Sequence, residues 1–105
     1  MSTELLKQSL LNYPYKMQHL NIKIHGKVQG VYFRNSTKMV ADQLGVTGWI
    51  KNEADGSVYV EAEGDDWILE NFLDWCAEGP ERADVQLVEK SEGELQGFNN
   101  FIIKK

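Results

Sequence analysis

The chain has 105 residues, 42% of them apolar and 26% charged, with a formal net charge of −5. That length suits one hydrophobic core; the composition is too apolar for a disordered chain, and no apolar run is long enough to span a bilayer. One cysteine, Cys76, and two histidines, His19 and His25, permit no internal disulfide and give no metal-ligand spacing, so a structural zinc site is not expected.

Residues 1–18 read as an N-terminal extension to a domain at 19–105. Leu5, Leu6 and Leu10 can line one side of a short helix that Pro14 would stop. Apolar–polar alternation from Leu20 to His25 predicts a strand with Leu20, Ile22 and Ile24 on one face. Gly26-Lys27-Val28-Gln29-Gly30 breaks it. From Arg34 to Leu44 the spacing turns helical, with Thr37, Val40, Ala41 and Leu44 on one face and Gly45 as the stop. Val46–Asn52 is a second strand. Asp55-Gly56 predicts a two-residue hairpin turn with positive φ angles, leading into a third strand on Val58, Val60 and Ala62. Asp65 or Asp66 caps a second helix, whose buried stripe is Ile68, Leu69, Phe72, Trp75 and Cys76, and Gly79-Pro80 ends it. A fourth strand is expected at Ala83–Glu89 and a short last one at Phe98–Lys104. The order β-α-β-β-α-β is the ferredoxin-like α+β plan: an antiparallel sheet with two helices on one face, here with an extra C-terminal strand.

The charge is laid out unevenly along this order. Residues 1–52 carry seven Lys/Arg against Glu4 and Asp42, a net +5; residues 53–94 carry fourteen Asp/Glu against Arg82 and Lys90, a net −12. A nucleic-acid partner would call for broad positive charge, so none is expected, while a small anion held in the basic part stays open. There is no cationic start or small-residue cleavage site at the N-terminus, so a cytoplasmic protein with no membrane partner is expected, with a monomer the simplest state.

The stretch that carries chemistry runs from His25 to Arg34. Its two glycines allow a backbone that turns several N–H groups toward one point, and the helix start beyond it adds unpaired N–H groups and the positive end of its dipole. Arg34 brings a planar fork suited to phosphate oxygens. The stretch is neither a Walker loop nor a dinucleotide loop, and no cysteine precedes the arginine. On residue types alone an anion site and a glycine-softened turn with a solvated Arg34 both remain open.

Gly26-x-Val28-Gln29-Gly30-Val31-x-Phe33-Arg34 resembles the signature of the acylphosphatase family. Gly48-Trp49-Ile50-Lys51-Asn52, followed by Asp55-Gly56, resembles the family's second motif, and Phe101-Ile102-Ile103-Lys104 its closing strand, with Lys104 where an arginine is common. The resemblance covers about residues 19–105. It implies hydrolysis of the carboxyl-phosphate bond of acyl phosphates to a carboxylate and inorganic phosphate, with no metal or organic cofactor. It places the catalytic arginine on Arg34 and the water-positioning asparagine on Asn52. The phosphate cradle falls on the backbone N–H groups of Gly26, Lys27, Val28, Gln29, Gly30, Val31 and Tyr32. A non-catalytic anion-binding module on the same fold is the alternative, and the presence of both Arg34 and Asn52 speaks against it. Trp49 is expected in the core, His25 on the open sheet face, and Cys76 buried and inert.

Overall fold

A computed structural model of the chain describes residues 16–105. The expected N-terminal helix around Leu5–Leu10 lies outside the described residues. Seven elements follow: β1 (Met17–Lys27), α1 (Phe33–Leu44), β2 (Thr47–Asn52), β3 (Val58–Asp65), α2 (Asp66–Glu78), β4 (Asp84–Gly93) and β5 (Phe101–Ile103). The strands form one sheet in the order β4-β1-β3-β2-β5. The ferredoxin-like α+β reading holds, and β1 begins at Met17, two residues before the expected domain edge.

Alternation in the sequence becomes the two faces of this sheet. Leu20, Ile22 and Ile24 are buried with Ile50, Val58, Val60 and Ala62, and α1 and α2 cover that face with Phe33, Ala41, Leu69, Phe72 and Cys76 in the same core. α1 lies over β2 and β5, and α2 over β3, β1 and β4. Lys38 ties α1 to the sheet edge: its Nζ donates to the Phe101 carbonyl at 2.8 Å and to Asp42 at 3.0 Å.

Several local expectations change. The sheet is mixed, because β5 runs parallel to β2, with Gly48 opposite Phe101; the other pairings are antiparallel. β5 begins at Phe101 rather than Phe98, since the N–H groups of Gln96, Gly97 and Phe98 donate to the buried carboxylate of Glu63 instead of a neighbouring strand. β4 runs on to Gly93 through the polar Lys90-Ser91-Glu92, because β1 offers a pairing partner as far as His19.

The β2–β3 turn is a three-residue loop. Glu53 N–H donates to Ser57 O at 2.9 Å and Gly56 N–H to Glu53 O at 3.2 Å, and only Gly56 has positive φ, at 93°. Asp55 instead accepts from the Ser57 N–H at 3.0 Å and hydroxyl at 2.5 Å. Asp65 holds the N-cap position of α2 without a side-chain cap bond, and the Asp66 N–H donates to Lys16 O at 3.0 Å.

Trp49 is not in the core. It alternates with the buried Gly48 and Ile50, so it stands on the open face, edge-on to Tyr59 at 5.3 Å between ring centroids, with Lys104 Nζ 4.2 Å from its own. Cys76 is buried as expected, and burial pushes its thiol well above the ordinary range.

Candidate active site

A cleft of about 410 Å³ opens between the β1–α1 turn, the end of β2 and the α2–β4 turn, lined by Val28, Gly30, Tyr32, Phe33, Arg34, Asn35, Asn52 and Arg82. It brings together the two residues expected to carry chemistry, Arg34 and Asn52, which are 18 positions apart in the chain.

The turn is built so that its side chains are spent on holding it in place. Val28 and Val31 are buried in the core. Gln29 reaches across to the β2–β3 loop, its Nε2 donating to Glu53 O at 2.8 Å and to Ser57 O at 2.9 Å. The loop that follows Asn52 is therefore tied directly to the turn that precedes Arg34. Gly30 takes φ 73°, and Tyr32 takes φ 61°, ψ 26°, the only non-glycine residue with positive φ among those described. A left-handed tyrosine costs conformational energy that the surrounding turn must sustain.

Tyr32 is also the N-cap of α1. It makes no side-chain cap bond, and no acidic residue stands in the first turn. The unpaired first-turn N–H groups and the positive end of the helix dipole are thus not neutralised from within the helix. Arg34 is the second helical residue and half-buried, and it forms no ion pair among the described residues. Asn52 ends β2 on the face opposite Lys51. Its Oδ1 is buried and has no hydrogen-bond partner, the one such side-chain atom among the described residues. A buried acceptor left unpaired costs roughly 1–3 kcal/mol, so its retention in a cleft marks a place for a hydrogen-bonding guest.

The expected cradle divides into two parts. Gly26 and Lys27 lie in β1 and pair with Val85 and Asp84 of β4 just past a bulge at His25/Gly26. A Cβ on Gly26 would sit 2.1 Å from the Asp84 carbonyl oxygen, so this glycine serves strand contact. The turn proper is Val28–Tyr32, and Val28, Gly30 and Tyr32 of it line the cleft. His25 bonds Glu89 at 2.6 Å away from the cleft. Among the described residues no carboxylate, imidazole or thiol lines the cleft, so these offer no metal-ligand set there. Phe33, Asn35 and Arg82 are lining residues that sequence reasoning passed over. Phe33 and Asn35 flank Arg34 and could have been found from the helix start; nothing local to Arg82 signals its arrival there.

The acylphosphatase family model matches residues 20–103. An acylphosphatase of Marinobacter nauticus is 49% identical over 82 residues, covering 77% of this chain and 89% of that protein. One of Thermotoga petrophila is 46% identical over 88 residues, covering 84% of this chain and 98% of that protein. The crystal structure of acylphosphatase from Bacillus subtilis superposes with a TM-score of 0.81 at 34% identity, covering 86% of this chain and all of that one.

Proposed function

The chain belongs to the acylphosphatase family and hydrolyses acyl phosphates, and from that premise we propose how its cleft performs the reaction. The phosphate end of the substrate sits against the N–H groups of the Val28–Tyr32 turn and the start of α1, where a dianion meets donors and the helix dipole together. The Arg34 guanidinium binds two of its oxygens as a fork. Asn52 Oδ1 accepts a hydrogen bond from a water and aims it at phosphorus, opposite the bond to the carboxyl oxygen. The water oxygen–phosphorus bond forms, the phosphorus–carboxyl oxygen bond breaks, and the electron pair leaves on the carboxylate. One water proton passes to a phosphate oxygen, giving a carboxylate and inorganic phosphate.

This scheme fits what the cleft lacks. A carboxylate is a stable anion and leaves without a general acid, and an amide is neutral and cannot serve as a strong base. Rate enhancement then rests on positioning and on charge stabilisation by Arg34 and backbone donors. The unpartnered buried Oδ1 of Asn52, facing the same cleft as the unpaired Arg34, is the observation that carries the reading. Binding alone would need no second, water-sized acceptor beside the anion site. We also propose that the protein works as a cytoplasmic monomer on small-molecule acyl phosphates, with no nucleic-acid or membrane partner and no bound metal or cofactor.

The test is hydrolysis of benzoyl phosphate in EDTA, with inorganic phosphate as competitive inhibitor. Asn52→Ala is expected to lose about a hundredfold or more in kcat while inhibition by phosphate changes little. Arg34→Ala should lose both, and Arg34→Lys should recover little because one ammonium cannot reproduce the fork. Equal losses in turnover and phosphate inhibition for Asn52→Ala would assign it to the anion instead of the water.

A further inference from the structure

The chain holds two arginines, and both line the cleft. Arg34 comes from the basic first half of the sequence. Arg82 comes from the acidic stretch, on the turn between α2 and β4, and reaches the same space from a separate wall. It is flanked in sequence by Glu81 and Asp84, yet it forms no ion pair among the described residues. Neither of those two acids lines the cleft. An exposed guanidinium that leaves two neighbouring carboxylates unpaired and stands at a cleft lined by no carboxylate among the described residues is available to a guest.

The turn that carries Arg82 is fixed against α1. Gly79 N–H donates to Trp75 O at 2.7 Å and Ala83 N–H to Pro80 O at 2.9 Å. Gly79 lies so close to Phe33 that a Cβ there would meet the ring at 2.7 Å, and Phe33 packs on Trp75 with ring centroids 5.7 Å apart. Arg82 is thereby held beside the start of the helix that bears Arg34.

We propose that Arg82 is a specificity-determining residue for the hydrolysis described above, favouring acyl phosphates whose acyl group carries a second negative charge. The phosphate end already has Arg34, the turn's N–H groups and the helix start. The second guanidinium, on a separate element at the rim, is then left for the acyl group. A carboxylate or phosphate at the far end of that group would pair with it. Because Arg82 is exposed, the contact is a rim charge: it acts through encounter and modest affinity and weakens with salt.

The test compares 4-carboxybenzoyl phosphate with benzoyl phosphate, two substrates that differ by one distant charge. In Arg82→Ala the ratio of kcat/KM, charged over neutral, is expected to fall about fivefold at low ionic strength, corresponding to the upper end of an exposed ion pair. Arg82→Lys should keep most of the ratio, because a rim contact needs charge more than a fork, and Arg82→Glu should push it lower than alanine does. The wild-type ratio should shrink toward the alanine value as salt rises from about 0.01 M to about 0.5 M. A ratio that is the same in all four proteins overturns the proposal. So does an equal loss for both substrates accompanied by weaker inhibition by inorganic phosphate, which would put Arg82 on the phosphate. If the wild type hydrolysed neither substrate, the activity on which this inference rests would fall first, and the inference with it.

Discussion

Gln29 is the side chain that joins the two halves of the candidate active site, and its removal has a calculable cost. In Gln29→Leu the amide volume is roughly kept while both hydrogen bonds, to Glu53 O and Ser57 O, are lost. Two neutral bonds contribute about 1–3 kcal/mol together. The lower part of that range applies. Ser57 O still accepts from the Glu53 N–H and Glu53 O from the Gly56 N–H, so neither carbonyl is left without a donor. The expected loss is therefore about 1–2 kcal/mol in urea denaturation, or a fall in Tm of about 5–10 °C for a domain of this size. The kinetic effect should be larger than the stability effect. Asn52 immediately precedes the loop that Gln29 grips, and a misplacement of an ångström can cost about a hundredfold in rate. We expect kcat for benzoyl phosphate to fall about tenfold to a hundredfold at a temperature where the variant is fully folded. Gln29→Glu should be worse on both counts, because a carboxylate faces two carbonyl oxygens with nothing to donate. A variant Gln29→Leu that unfolds more easily but turns over at the wild-type rate would refute the coupling and leave Gln29 a strut of the fold alone.

Gly26→Ala should destabilise by about 3 kcal/mol or more, since its Cβ would collide with the β4 backbone at φ 126°, whereas Gly30→Ala, at φ 73° with open space around it, should cost about 1 kcal/mol and show its effect in phosphate affinity; urea denaturation and phosphate inhibition separate the two. Stability should peak between about pH 4.5 and pH 6.5, the ordinary values of a glutamate and a histidine. For Glu63, burial opposes the charged form, but the Gln96 N–H, His19 and the next two backbone donors outweigh it and lower its value, so its contribution is lost as pH falls through the folded value. For His19, burial is outweighed by hydrogen bonds to Glu63 and Asn21 and by the charge of Glu61, which raise its value, so its contribution is lost as pH rises through the folded value. His19→Gln should flatten the alkaline limb of a denaturation-midpoint profile, and persistence of that limb would assign it elsewhere.

What was legible in the sequence had a period or a punctuation mark. Leu20, Ile22 and Ile24 alternate and are buried; Leu69, Phe72 and Cys76 recur at helical spacing and are buried. Gly45 and Gly79 stand where the helices end. What was not legible depended on distant partners. Glu63 sits in a run of acids that reads as solvated surface, but it is 2% exposed, its two oxygens filled by His19 and the N–H groups of Gln96, Gly97 and Phe98. Those donors come from a segment more than thirty positions away, and they are what delays β5. Trp49 was misplaced because a tryptophan in a motif suggests core. Its neighbours Gly48 and Ile50 take the buried positions, and alternation then leaves it on the open face.

The same distinction explains why charge arithmetic was only half a guide. The net −5 gives no ground to expect a broad basic surface, and the +5 segment contains both Arg34 and Asn52. Charge along the chain, however, is not charge in space. Glu63 belongs to the −12 stretch, yet it is buried, paired with His19 and with the N–H groups of Gln96, Gly97 and Phe98. Arg82 belongs to the same stretch and stands with Arg34 at a cleft that, among the described residues, no carboxylate lines. The charges that line the cleft are therefore two guanidiniums beside an uncapped helix start. Repulsion of anionic acyl groups is what the linear sequence would suggest. Attraction at the rim is what the proposed role of Arg82 requires, and the direction in which rising salt moves the charged-over-neutral rate ratio, up for repulsion and down for attraction, decides between them.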